Sequence, residues 1–260
     1  MQNILLKIIL ITVIVLSAIG YVKFNRPKDM EYKPVQTDIK KDLIVEPEAD
    51  SVLINGETFG YLIEKHVNPE RIILGNNTTS KSDTQELMIR MKCIFGINGG
   101  FYDTQDRPLG WMVIDGKEVS RAKTSDLLNG FISIIDSQIE IGKLNNTIAD
   151  YGVQSGPLLF SNSEPWTLKM ARDEKSRRMV MGNTTQGVFI LGIFDPEADL
   201  SGPYLADLPE VVQKIAEEEG LLIQNAINLD GGSASAIYTS RGNLKEISNA
   251  GSWWCVKNSF

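Results

Sequence analysis

Ala226-Ile227-Asn228-Leu229-Asp230-Gly231-Gly232-Ser233-Ala234-Ser235-Ala236-Ile237-Tyr238 sets the architecture of this chain. A short apolar run, 226–229, is cut by Asp-Gly-Gly and followed by a second run, 236–238. Runs of that length and composition are strands, and paired glycines after a strand let the backbone turn with φ > 0. Moving outward, the same kind of run recurs at Phe59–Ile63, Arg71–Leu74, Ile94–Asn98, Trp111–Ile114, Phe131–Ile135, Met179–Met181 and Val188–Phe194. Two segments read as helices. Ser82–Lys92 carries Asp83 and Glu86 at capping-box spacing. Asp207–Glu219 has an Asp cap, Pro209 in its first turn, a stripe of Leu208, Val211, Val212, Ile215 and Ala216, and Gly220 as its stop. Many strands with few helices and no strict alternation predict one α+β domain, a mixed, strand-rich sheet with a few flanking helices, over residues 51–260.

Residues 1–24 differ in kind. Ile8 to Val22 is an uncharged apolar run, short for a membrane span and long for a signal core. Both a cleaved signal peptide and an uncleaved signal anchor fit. The anchor is favoured because Ala18-Ile19-Gly20 is a weak cleavage site. Residues 25–50, rich in Lys, Asp, Glu and Pro, read as a polar linker. Lys23, Arg26 and Lys28 follow the apolar run, which by charge count alone argues against export of the body.

Composition excludes several chemistries. The net charge is −7, and leaving out the first 28 residues removes four basic groups and no acid, which gives −11. A body that acidic lacks the positive face of a general nucleic-acid binder. There is one histidine, His66, so any Ser-His-Asp triad, Cys-His pair or His-rich metal site would run through it. Its neighbours Glu64, Lys65, Val67 and Asn68 suggest no site. Cys93 and Cys255 lie too far apart for a metal or redox motif, and read either as a disulfide or as two buried thiols.

Two further segments resemble the Asp-Gly-Gly turn: Ile97-Asn98-Gly99-Gly100-Phe101-Tyr102-Asp103 and Gln154-Ser155-Gly156-Pro157-Leu158-Leu159. Each on its own reads as a plain turn, and Asn98-Gly99 is a hairpin signal. Three together, with polar residues in the turns, suggest one shared pocket lined by N–H groups. Arg177-Arg178 opens the strand that ends at Gly182, a position from which an arginine fork can clamp phosphate.

Taken in order, Asn98-Gly99-Gly100-Phe101-Tyr102, Gly110 with Asp115-Gly116, Gln154 to Leu159, Arg178 with Gly182, and Leu229 to Ser235 resemble the phosphodiester glycosidase family across residues 90–258. Tyr102 stands where the family pattern has Phe. Ser233-Ala234-Ser235 stands where it has Gly-Ser-Ser, so either Ser233 or Ser235 takes the serine's part. The resemblance implies an extracytoplasmic body and cleavage between a sugar's anomeric carbon and a phosphate oxygen. A phosphate leaving group is already a stable anion, so N–H and cationic stabilisation matters more than a general acid. That suits a chain with one histidine.

On this reading Asp230 faces the anomeric carbon, Arg178 clamps the phosphate, Asn98 and Gln154 orient sugar or carboxylate, and Asp103 is the second-choice carboxylate. Gly99, Gly100, Phe101, Ser155, Gly231, Gly232, Ser233 and Ser235 complete the substrate site. Phe101, Tyr102, Trp111 and Trp166 are the aromatics available to stack on sugars. The expected partners are a sugar-phosphate glycan and, through the N-terminal segment, a membrane, with no nucleic acid. No cofactor is required. A divalent cation on Asp103, Asp106, Asp115 and Asp230 is the alternative, and would suit a phosphodiesterase breaking P–O. A non-catalytic envelope module that binds glycan or phosphate is a second alternative.

Overall fold

A computed structural model describes residues 49–258. The chain divides into two units, Met1–Ile44 and Val45–Phe260, and all described residues belong to the second. The expected anchor and most of the expected linker therefore lie outside the described residues. No helix among the described residues is long and apolar enough to cross a membrane.

Three sheets and two helices make the domain. The first sheet runs β1 (Asp50–Ile54), β2 (Glu57–Val67), β13 (Gly187–Phe194), β12 (Arg178–Thr184), β14 (Ile223–Asn228), β10 (Leu158–Ser161), β11 (Glu164–Pro165). The second runs β16 (Gly242–Leu244), β15 (Ile237–Thr239), β4 (Cys93–Asn98), β17 (Ser252–Lys257), β3 (Ile72–Asn76). The third runs β6 (Lys117–Ser120), β5 (Met112–Ile114), β9 (Tyr151–Ser155), β7 (Gly130–Ile135), β8 (Gln138–Gly142).

The expected mixed sheet is corrected on two counts. There are three sheets, and every described strand pairing is antiparallel. Parallel neighbours need long crossovers, usually helical, and only two α-helices lie among the described residues. Tight hairpins do the joining instead. Asn55-Gly56 and Asp115-Gly116 both have φ > 0 at the two turn residues, as the type I′ hairpin demands. Asn98-Gly99 is not such a turn. The strand that ends there lies between β15 and β17, which arrive from far along the chain.

Helix α1 (Thr84–Met91) is capped by Asp83, whose carboxylate accepts from the Glu86 N–H at 2.7 Å, and Lys92 ends it in the left-handed conformation. It packs its Leu87 against Trp253 and Cys255 of the second sheet and against Ala236 just before β15. Helix α2 (Leu208–Glu219) lays Leu208, Val211, Val212 and Ile215 on one face of the first sheet, with Gly220 as its left-handed stop. Asp207 starts α2 without a side-chain cap bond.

The first sheet is buried on both faces, which explains the unbroken apolar run of β13. Phe189, Leu191 and Ile193 face α2, while Val188 and Ile190 face the central core with Met179, Met181, Ile227 and Trp254. That period of two is the strand pleat expressed in packing. The two cysteines form a disulfide, Cys93–Cys255, with Cα atoms 5.4 Å apart, at the outer end of the β4–β17 pair.

Candidate active site

The three glycine-rich segments meet. β4 and β14 end side by side, and their turns are stitched by main-chain and amide bonds. The Asp230 N–H donates to the Gly99 carbonyl at 3.0 Å. Asn98, 1% exposed, donates from Nδ2 to the Asp230 carbonyl at 2.8 Å and accepts at Oδ1 from the Ala236 N–H at 2.9 Å. Its main-chain N–H also reaches the Ala236 carbonyl at 3.1 Å. Asn98 thus holds both sides of the Asp-Gly-Gly turn with one buried amide.

The second segment joins from the other side. The Ser155 hydroxyl donates to the Asn228 carbonyl at 2.7 Å, Asn228 Nδ2 donates to the Gly156 carbonyl at 2.9 Å, and the Asn228 N–H donates to the Pro157 carbonyl at 3.0 Å. The Gly156–Pro157 bond is cis. The C-terminal strand closes the ring, since the Gly99 N–H donates to the Ser252 carbonyl at 2.9 Å.

Two glycines are required by geometry. A Cβ on Gly99 would overlap the Ser252 hydroxyl, and Gly232 has φ +65°, where other residues are strained. Gly100 packs against the Val153 side chain and the Gln154 carbonyl, and the Gly232 N–H donates to the Arg177 carbonyl at 3.1 Å.

Asp230 is the carboxylate that this ring carries. Burial pushes its carboxyl up to about 7, opposed only by the Gly231 N–H. Tyr102 lies close enough to feel that charge. Burial raises its phenol above the ordinary range, Asp230 raises it further, and the Ser252 hydroxyl partly offsets both.

Several expected site residues are placed otherwise. Gln154 is 3% exposed and all four of its hydrogen-bonding positions are filled. Its Oε1 accepts from the Trp111 and Lys123 N–H groups, and its Nε2 donates to the Lys123 and Leu128 carbonyls. The expectation that Gln154 orients a sugar is therefore corrected: it ties β9 to the 123–128 loop. Ser155 is likewise buried and committed to Asn228.

Asp103 is not brought to Asp230. It accepts from the Gln105 and Arg107 N–H groups and pairs with the Arg107 guanidinium at 2.7 Å, which holds its carboxyl down at about 2. Nor do the four aspartates considered as cation ligands converge. Asp106 pairs with Lys81 and Asp115 accepts from the Tyr151 hydroxyl. No cluster of three or more His, Cys, Asp or Glu side chains exists among the described residues.

Arg178 sits at the start of β12 with Nε and Nη2 in use. Nε donates to the Pro203 carbonyl at 3.0 Å, and Nη2 donates to the Glu174 carbonyl at 2.6 Å and stands 3.5 Å from Asp173. Arg177 is held by the Lys245 carbonyl and Asp199. No bond joins either guanidinium to Asp230 among the described residues. Phe101 is half-buried beside the first turn. Ser233 is exposed and bonded to Ser248 at 2.8 Å, whereas Ser235 is fully buried. His66 is exposed in β2, with φ 55°, where the β2–β13 register shifts. Trp111, considered as a sugar stacker, is 1% exposed and packs edge-on to Phe131 in the core.

Two residues of the ring had no role assigned from sequence. Six buried side-chain polar atoms make no well-formed hydrogen bond among the described residues, and three of them belong here: Asn228 Oδ1, Ser235 Oγ and Ser252 Oγ, the last lying beside the Tyr102 phenol. Buried polar groups are nearly always satisfied, so a cluster of exceptions marks a place where outside hydroxyls or water are engaged. Ser252 carries a faint sequence signal, Gly251 immediately before an apolar strand, which mirrors the strand-then-glycine order of the other turns. Asn228 lies inside the motif and passes there for an ordinary strand residue.

The phosphodiester glycosidase family profile matches residues 91–260. Among solved structures, the catalytic domain of zebrafish N-acetylglucosamine-1-phosphodiester alpha-N-acetylglucosaminidase, auto-inhibited by its pro-peptide, superposes with a TM-score of 0.64 at 16% identity, over 81% of this chain and 82% of that one. A hypothetical protein from Synechocystis superposes with a TM-score of 0.60 at 13% identity, over 80% of this chain and 61% of that one. These likenesses show a shared fold. No curated protein matches the sequence. The profile takes in all of the ring from Asn98 to Ser252, and on that ground the chain belongs to the phosphodiester glycosidase family.

Proposed function

We propose that the protein is an exported hydrolase that cleaves the sugar C1–O bond of sugar-1-phosphodiesters in surface glycans, with Asp230 as the reacting carboxylate. The observation that carries this is the raised Asp230 carboxyl, in a ring built by three family motifs. In the reaction the C1–O bond breaks, the phosphate monoester leaves with the electron pair, and water supplies the new C1 oxygen. Asp230 in its ionised form stabilises the cationic sugar or takes the proton of the attacking water. The residue that approaches C1 is Asp230, since the Ser235 and Ser252 hydroxyls are fully buried.

The phosphate is assigned to the Gly100 N–H at the rim of the ring, because the Gly99 and Gly232 N–H groups are bonded to the Ser252 and Arg177 carbonyls and the Gly231 N–H to Asp230 itself. Arg178 ties residues 173, 174 and 203 to the start of β12 through Nε and Nη2, which leaves Nη1 as the arm available to the phosphate. The Cys93–Cys255 disulfide supports the export reading, since structural disulfides belong to oxidising compartments. The N-terminal apolar run supplies the route, as anchor or cleaved signal. The full chain is to be assayed on a panel of sugar-1-phosphodiesters beside Asp230→Asn. Release of reducing sugar by the wild type alone is the expected result. Equal release by both chains would remove Asp230 from the chemistry.

A further inference from the structure

Beyond the Asp230 ring, a separate cleft of about 390 Å³ opens on the far side of β9. Gln154 separates the two. Its carbonyl backs onto Gly100 of the ring, while its side chain lines the cleft. The cleft takes its walls from the 123–129 loop, β7, Lys143 and Trp166. On an acidic chain it is locally basic, with Lys123 and Lys143 against Asp126 alone.

Its furniture is that of a carbohydrate site. Trp166 is the one tryptophan of four that is not fully buried, since Trp111, Trp253 and Trp254 are at most 1% exposed. The Lys143 ammonium lies 4.7 Å from the centre of the Trp166 ring, so a cation and an aromatic plate are already held together. Asn129 accepts the Leu158 N–H with Oδ1, which leaves its Nδ2 hydrogens for a ligand. Asp126 offers a carboxylate to sugar hydroxyls. An aromatic face, a carboxylate, an amide and two ammonium groups in one depression are the complement of a sugar bearing a phosphate.

We propose that this cleft binds a neighbouring sugar-phosphate unit of a polymeric substrate while the scissile unit occupies the Asp230 ring. The proposal rests on the hydrolase reading above and deepens it, making the substrate class an oligomer of phosphodiester-linked sugars rather than a single diester. Trp166 stacks on the second sugar, and Lys123 and Lys143 pair with the intervening phosphate. Lys143 exchanges the indole face for the anion.

The test uses the full chain carrying Asp230→Asn, which prevents turnover, and two probes: a hexose-1-phosphate methyl diester, and an oligosaccharide of hexoses joined by phosphodiesters. Calorimetry gives the two Kd values, with and without Lys123→Ala plus Lys143→Ala. Trp166 emission reports the same event, because the other three indoles are shielded. The expected result is a roughly tenfold weaker Kd for the oligomer in the double-lysine variant, an unchanged Kd for the methyl diester, and an emission change with the oligomer only. An unchanged oligomer Kd, or equal weakening for both probes, would overturn the proposal. The two readings fail separately. If the wild type hydrolyses no diester yet lysine-dependent oligomer binding persists, the cleft stands and the hydrolase reading falls. If the methyl diester is hydrolysed and the lysines make no difference, the cleft falls alone.

Discussion

At Asp230 stability and activity pull in opposite directions. Its carboxyl is raised from 3.8 to about 7 by burial. A carboxyl raised in the folded state contributes stability that is complete below its unfolded pKa and lost as pH rises through 7, because the unfolded chain ionises more readily. Asp230→Asn removes that cost. We expect the variant to gain roughly 2–4 kcal/mol above pH 7 and to match the wild type near pH 4, as read by denaturant melts at the two pH values. Since the ionised form reacts, wild-type kcat/KM should climb through about pH 7, and the variant should show neither the activity nor the climb. Ser252 gives a second contrast. Its buried hydroxyl lies beside the Tyr102 phenol without a well-formed hydrogen bond, so Ser252→Ala should shift the melting temperature little. Because it packs inside the ring beside Asp230, kcat/KM should fall about tenfold in the same protein. Residue types and order marked Asp230 and Asn98 beside glycine turns in the sequence, and the structure brings those turns together, with the Asn98 amide bonded to main chain on both sides of the Asp-Gly-Gly turn. That Gln154 is fully bonded within the protein was not legible. It has the right groups, and only the N–H groups of residues 111 and 123 and the carbonyls of 123 and 128 decide the matter.

Among the elements, the strands and helices with clear apolar patterns were all legible, from Phe59–Ile63 to Ala236–Tyr238 and both helices. The strands that escaped were β1, β6, β8, β9, β10, β11 and β16. Several are short, exposed or polar, such as Lys117–Ser120 and Gly242–Leu244, and are strands because a neighbour pairs with them. β9 escaped for another reason: Tyr151-Gly152-Val153-Gln154-Ser155 hides polar side chains whose partners lie elsewhere in the chain. Pairing direction is likewise a property of partners, which is why a mixed sheet is expected from the sequence and antiparallel sheets are found. The closing element is β17, which lies between β3 and β4 and carries Ser252 to the ring. Its outer end is fixed by the disulfide to Cys93, 162 residues away in sequence. Loop entropy sets a ceiling of about 5 kcal/mol on that link. Cys93→Ala with Cys255→Ala should lower unfolding free energy by a few kcal/mol without changing the far-ultraviolet spectrum, and an unchanged denaturation midpoint would show that β17 holds its place by pairing and packing alone.

Across the whole molecule, the first and second sheets are pinned at a polar knot away from the site. Glu219, at the end of α2, accepts from the Tyr61 hydroxyl at 3.0 Å and from Lys65 at 2.6 Å, with Arg241 of the β15–β16 turn 3.7 Å away. Burial opposes its ionisation, but these partners outweigh it and hold its carboxyl below the ordinary value. A lowered carboxyl contributes stability above its unfolded pKa and loses it as pH falls through the folded one. Glu219→Gln should therefore melt below the wild type at pH 7 and converge with it in strong acid, while diester hydrolysis at pH 7 stays unchanged. Such a variant separates the scaffold from the ring that it carries. The central claim concerns which bond that ring breaks. Hydrolysis of a sugar-1-phosphodiester in water enriched in oxygen-18, with mass spectrometry of both products, reads it directly. Label in the free sugar is the predicted result, since water attacks C1. Label in the phosphate would mean that the P–O bond breaks, and would contradict the account.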